Sequence, residues 1–137
     1  MVESIIHYEG DLHCRVVHGP SKCIIETDAP LDNNGRGEAF SPTDLVASAL
    51  ASCMATIMGI VAKRKGLALE GMEITVRKLM SADPPRRICK LDLHLRVPLP
   101  PDHPERTMLE TSALTCPVHH SLHPDIEIVL LWEWYGA

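Results

Sequence analysis

The sequence predicts an α+β fold in which antiparallel sheets surround a long central buried helix. Three observations lead there. Residues 45–62 carry no charged side chain and are bracketed by helix-capping signals. Two later segments alternate apolar and polar residues with the period of two that marks a half-buried strand. The strands before and after the helix are joined by tight-turn residues, not by the alternating strand–helix units of a doubly wound parallel sheet.

The first third reads as three short strands, Ser4–Glu9, Leu12–His18 and Lys22–Thr27. They are separated by Gly10-Asp11 and by Gly19-Pro20-Ser21, residues that tight turns use. Residues 29–38 form a polar, Gly-containing stretch without periodicity, expected to be mobile or shaped by a partner. A helix then begins at Pro42. Ser41 suits the N-cap, Pro42 the first helical position, and Asp44 the carboxylate place of a capping box. Lys63-Arg64-Lys65 favour the negative end of the helix dipole, and Gly66 is the expected C-cap.

About 18 apolar residues is the lower limit for crossing a bilayer, so this helix must be either a span or a core element. Ser48, Ser52, Thr56 and Gly59 form a small-residue stripe, the flanking strands have a soluble character, and no second apolar segment exists. These favour a buried central helix and no membrane association. A helix apolar nearly all round needs cover on every side, and a sheet supplies only one. A second subunit is expected to supply another.

Next, Met72, Ile74 and Val76 alternate with Glu73, Thr75 and Arg77, and the apolar series Cys89, Leu91, Leu93, Leu95, Val97 alternates with Lys90, Asp92, His94, Arg96. A Ser81–Pro85 connection makes these a hairpin with one dry face. A helix from about His103 to Leu114, a short helical turn opening at Cys116-Pro117, and a strand Ile126–Trp134 complete the order.

With 137 residues the chain is expected to be one domain, 1–137, large enough for its own core. Hydrophobic residues at 45% and charged residues at 23% exclude disorder. A net charge of −5 and 4% aromatics disfavour a nucleic-acid partner. Glu3 and the lack of an apolar run near the N-terminus argue against a signal peptide. Five cysteines, an odd number, fit a cytoplasmic protein with reduced thiols.

Phosphate loops, HExxH, CxxC and GxSxG are absent, so no cofactor or metal is expected. Two cysteines are candidates for chemistry. Cys53 lies mid-helix, where a small buried hydrophobe is the common role. The helix dipole does not reach it, being about three turns away. A reactive Cys53 thiolate would need a cation from elsewhere; Arg36 is the best placed in sequence and Arg15 next, with Glu38 or Asp44 to hold it. Arg36 and Glu38 read equally as solvated loop charges. Cys116 precedes Pro117, so its thiol should sit at helix N–H groups, which favour a thiolate. Its rival roles are a weak N-cap or a zinc ligand with His119, His120 and His123, although no further pair completes four ligands. Cys14, Cys23 and Cys89 fall in strand patterns and read as packing residues.

The stretch Ser41-Pro42-Thr43-Asp44-Leu45-Val46-Ala47-Ser48-Ala49-Leu50-Ala51-Ser52-Cys53 resembles the helix signature of the OsmC/Ohr family. Thr115-Cys116-Pro117-Val118-His119 is similar to the family's second cysteine motif, and the order of elements fits along nearly the whole chain. The resemblance implies an OsmC-like fold, an intertwined homodimer and a thiol-dependent peroxidase for organic hydroperoxides, with hydrogen peroxide a further substrate. By that likeness Cys53 is the peroxidatic thiolate and Cys116 the resolving thiol. A cellular dithiol, from a lipoyl protein or a thioredoxin-like protein, reduces their disulfide. One position departs: catalytic members carry Glu after the Pro, where this chain has Thr43. Asp44 follows, but one residue turns a helical side chain by about 100°. That departure keeps open an OsmC-fold protein that binds a small ligand or serves in stress without peroxidase turnover, and the histidines keep open a Cys/His metal module.

Overall fold

Reciprocal hydrogen bonds fix the start of the long helix α1, Pro42–Arg64. The Asp44 amide donates to Ser41 Oγ at 3.0 Å, and the Ser41 amide donates to Asp44 Oδ2 at 2.9 Å. This is the expected capping box. At the other end Gly66 takes a left-handed φ of 68°, its amide bonding Lys63 O while the Leu67 amide bonds Ala62 O. Those two bonds make a Schellman motif, which satisfies carbonyls that the helix end would otherwise orphan.

The computed structural model describes residues 1–137, which form two compact units, Met1–Val46 and Ala47–Ala137. The first unit holds an antiparallel sheet in the order β1 (Ser4–Gly10), β2 (His13–His18), β3 (Ile24–Asp28). The β1–β2 turn is centred on Asp11 and Leu12, one residue later than the sequence indicates, with both at positive φ (53° and 61°). Paired positive φ values give the turn the twist that adjoining strands need. Because β3 begins at Ile24, Cys23 falls in the preceding turn and is exposed, not packed in a strand.

Residues 29–38 are more ordered than their composition indicates. A 3₁₀ turn at Leu31–Asn33 is followed by amide bonds from Gly35 to Pro30 O and from Gly37 to Ala29 O. The reason lies in the glycines. A Cβ on Gly35 would stand 1.7 Å from the Ala29 carbonyl oxygen, so only glycine permits this close approach.

The second unit contains a sheet in the order β4 (Glu73–Met80), β5 (Ile88–Val97), β6 (Glu127–Trp134). Strands β4 and β5 pair antiparallel, setting Ile74 opposite Leu95 and Val76 opposite Leu93. The central strand β5 buries Leu91, Leu93, Leu95 and Val97 completely. Each such side chain contributes roughly 1.5–3 kcal/mol of burial free energy. The antiparallel reading fails at one place: β6 runs parallel to β5, with Leu130 opposite Leu93. The connection between them carries α2 (Arg106–Ala113) and α3 (Pro117–Ser121), the crossover that a parallel pair requires. Helix α2 begins later than the sequence indicates because His103 precedes Pro104, which disfavours helical backbone there. Residues 103–106 make a turn instead, with the Arg106 amide donating to His103 O. Glu110 on α2 then accepts from Trp134 Nε1 at 2.8 Å and from Arg106 Nε at 2.9 Å, which ties α2 to β6.

Helix α1 has four distinct sides. Ala47, Leu50, Ala51, Met54, Met58 and Ala62 are buried and join the β5 leucines in one core. The opposite side, Ala49, Ser52, Thr56 and Ile60, is exposed. One flank faces a groove of about 310 Å³ lined by Ser48, Ala51, Ser52, Ala55, Met72, Ile74 and Val76. The other flank carries Cys53 and Ile57, half-buried against the core. By length and composition alone α1 would also pass as a membrane span, but Leu50, Met54 and Met58 are fully buried in the core with the β5 leucines.

Candidate active site: two adjoining thiols

The site begins with two local structures. On α1 the 3.6-residue period sets Cys53 beside the buried Leu50–Met54 line instead of within it, so its sulfur is half-buried. At α3, Cys116 is the N-cap with extended backbone (φ −66°, ψ 139°), and Pro117 occupies the first helical position. The His119 amide donates to Cys116 Sγ at 3.2 Å. The Val118 amide also points to this sulfur.

Cys116 is fully buried, and the Cys53 thiol lies near enough to bear on its ionisation. Burial is the largest influence on its ionisation and raises its pKa above the ordinary 9.0; Cys53 pushes the same way, while the two amides oppose. The helix N–H groups are thus where the sequence places them, yet they do not make Cys116 a ready thiolate. Desolvation outweighs two hydrogen bonds to sulfur, a weak acceptor. Cys116 therefore stands as a protonated thiol against Cys53.

The histidines take separate directions. His119 is half-buried, its Nδ1 enclosed without a hydrogen-bond partner and its ring edge-on to His120 at 5.8 Å between centroids. His123 is exposed and turns to Asp125, accepting that residue's amide at 3.1 Å on Nδ1. The sequence spacing that puts Cys116 with His120, and His119 with His123, does not gather these side chains into a ligand set. What His119 gives the thiol is its backbone N–H.

Arg36 and Glu38 belong to the first unit. The Asp28 carboxyl is held below its ordinary range chiefly by its hydrogen bond with His13, and least by the charge of the exposed Arg36. Glu38 contributes its amide, which donates to Asp28 Oδ2 at 3.1 Å, while its side chain is exposed. Arg15 Nε lies 3.6 Å from Glu9 Oε2. At the start of α1 the Asp44 carboxylate accepts the Ser41 amide, and Thr43 Oγ1 lies 3.2 Å from Ser41 Oγ. Sequence reading missed His13, whose Nδ1 lies 2.5 Å from buried Asp28 Oδ1. The signal was the β2–β3 register, which sets His13 directly opposite Asp28. Of the other cysteines, Cys89 Sγ donates to Leu79 O and Cys14 is half-buried in β2.

Comparison with known proteins places the chain in a family. Residues 35–130 match the family model for OsmC-like protein. The fold is similar to that of a Psychrobacter arcticus 273-4 protein named for osmotic stress induction and a detoxification response. That protein is 42% identical, with 98% of this chain and 96% of the other covered and a TM-score of 0.88. An organic hydroperoxide resistance protein OsmC from Legionella pneumophila shares the fold at 19% identity, 97% and 96% coverage and a TM-score of 0.76. So does an organic hydroperoxide resistance protein from Elizabethkingia anophelis, at 16% identity, 98% and 96% coverage and a TM-score of 0.77. No curated protein sequence matches significantly. With the family match spanning most of its length, the chain belongs to the OsmC-like protein family.

Proposed function

We propose that this protein is a thiol-dependent reductase of organic hydroperoxides. The observation that carries the proposal is the proximity of a half-buried thiol, Cys53, to a buried protonated thiol, Cys116. Cys53, as thiolate, attacks the terminal peroxide oxygen. The O–O bond breaks, the alcohol leaves with a proton, and Cys53 becomes a sulfenic acid. The Cys116 sulfur then displaces hydroxide from Cys53; its thiol proton completes the water, and a disulfide forms. A dithiol reductant returns both thiols. The balance is one hydroperoxide and one dithiol consumed, one alcohol, one water and one disulfide formed.

A neutral Cys116 suits the resolving role. It stands near Cys53 without placing a second negative charge beside it. Relatives named for organic hydroperoxide resistance support the substrate class. The apolar surroundings of Cys53, with Ile57 and Val61 against the same core, favour a greasy peroxide over hydrogen peroxide. Arg36 and Glu38 are assigned to thiolate activation from their place in the loop just ahead of α1. In this reading the protein acts in the cytoplasm as a homodimer, fed by a lipoyl or thioredoxin-like dithiol. The dimer draws support from apolar residues left uncovered in one chain: Ile60 on α1, and Ile5, Ile6, Ile24 and Ile25 on the first sheet, each about half exposed.

A second reading, ligand binding without turnover, is favoured by one observation. At the position where catalytic members carry Glu stands Thr43, and the neighbouring Asp44 is engaged in the helix cap. Peroxide consumption with dithiothreitol as reductant separates the two. Wild type is expected to turn over cumene hydroperoxide repeatedly, and Cys53→Ser to be inactive though folded. Cys116→Ser is expected to oxidise once and accumulate sulfinic acid, detected by mass spectrometry. A wild type as slow as Cys53→Ser would leave the binding role.

A further inference from the structure

The first sheet gathers a second set of chemistry-bearing side chains that the thiol reaction does not use. His13 on β2 has Nε2 3.7 Å from Glu9 Oε1 on β1 and 3.4 Å from Glu26 Oε1 on β3. One ligand atom from each of the three lies within 4.8 Å of the other two. We propose that Glu9, His13 and Glu26 form a binding site for a divalent first-row cation of the zinc class, with Asp28 orienting the imidazole.

Four features carry this. First, the spacing fits: two donors each about 2.1 Å from a tetrahedral zinc ion stand about 3.4 Å apart. The wider gap closes by rotation of glutamates that are 43% and 57% exposed. Second, the other imidazole nitrogen is already engaged, since Nδ1 faces Asp28 Oδ1, a carboxylate only 2% exposed and held by the Glu38 amide. A carboxylate behind the imidazole fixes ring and tautomer and leaves Nε2 as the outward donor, the arrangement found behind most metal-bound histidines. Third, the chain departs from regular pairing to build the set. Tyr8 pairs with Cys14 and Gly10 with His13, so Glu9 is the extra residue of a bulge, and bulges re-aim side chains. Fourth, the two glutamates reach the ring from the strands on either side of it, Glu9 from β1 and Glu26 from β3, so the three donors converge from three strands. Mixed imidazole and carboxylate donors select zinc, cobalt or manganese over calcium and magnesium, which prefer oxygen throughout. Binding requires Nε2 free of a proton, so an imidazolium releases one proton as the metal enters.

The test uses the full-length protein with Co²⁺ as probe, because cobalt absorption distinguishes thiolate ligands from nitrogen and oxygen ligands. Wild type is expected to bind one equivalent with visible ligand-field bands and no thiolate charge-transfer band. Glu9→Gln and Glu26→Gln alter exposed side chains and leave the His13–Asp28 pair intact; each should weaken binding about tenfold or more, with unchanged circular dichroism. Asp28→Asn, which keeps all three ligands, should weaken it about 10–100-fold. Zn²⁺ should raise the unfolding temperature of wild type and not of Glu26→Gln. The site is refuted if cobalt fails to bind, if Glu9→Gln and Glu26→Gln bind as wild type does, or if the bands show thiolate and vanish in Cys53→Ser.

Discussion

The buried Cys116 thiol lies close to Cys53, which packs against the same core, so the N-cap of α3 neighbours the flank of α1. Two cysteines far apart in sequence become a pair because both helices belong to one core. Leu50, Met54 and Met58 of α1 and Cys116 itself are enclosed in it with the β5 leucines. The pair is thus held by packing on the β4–β5–β6 sheet, not by a local motif.

The ionisation of Cys116 gives a pH dependence of known sign. Its folded pKa is raised, chiefly by burial. An unfolded thiol ionises first as pH climbs, so the stability from the buried S–H is fully present at neutral pH. It is lost as pH rises through the unfolded and then the folded value. Iodoacetamide labelling of Cys116 in the Cys53→Ser variant should therefore show a midpoint above the ordinary thiol value of 9.0. A midpoint at or below that value would mean that the amides of His119 and Val118 dominate burial.

The capping box at α1 is a second test. Ser41→Ala removes the oxygen that accepts the Asp44 amide. Loss of such a cap costs about 0.5–2 kcal/mol. Urea unfolding should show a lower midpoint with an unchanged slope, and Ser41→Asn, which keeps an acceptor, should recover most of the loss.

Leu93 probes the core that carries the thiols. It is fully buried at the centre of β5, between Val76 on β4 and Leu130 on β6. Leu93→Ala should cost about 2–5 kcal/mol by the same unfolding measurement. A smaller change at a site this enclosed would show that the core collapses into the space.

Much of this was legible in the sequence because the governing forces are local. Ser41, Asp44 and Gly66 mark the ends of α1 by hydrogen-bonding chemistry that spans only a few residues. The alternation around Leu91, Leu93 and Leu95 is the direct imprint of a strand with one dry face. Long-range facts were not legible. The parallel run of β6 depends on the path of the α2–α3 crossover, and the burial of Cys116 depends on what α1 and the sheet place above it. The order in residues 29–38 depends on Gly35 lying against Ala29, a contact that composition does not reveal. The pairing of His13 with Asp28 required the register of a hairpin whose turn is displaced toward Lys22.

The central claim is that Cys53 and Cys116 act as one redox pair. The direct measurement is a chromogenic count of free thiols before and after one equivalent of cumene hydroperoxide, in wild type and Cys53→Ser. Rapid loss of two thiols in wild type and none in the variant, with the disulfide mapped to Cys53 and Cys116, is the predicted result. Slow loss, equal in both proteins, would contradict it and make the two cysteines packing residues.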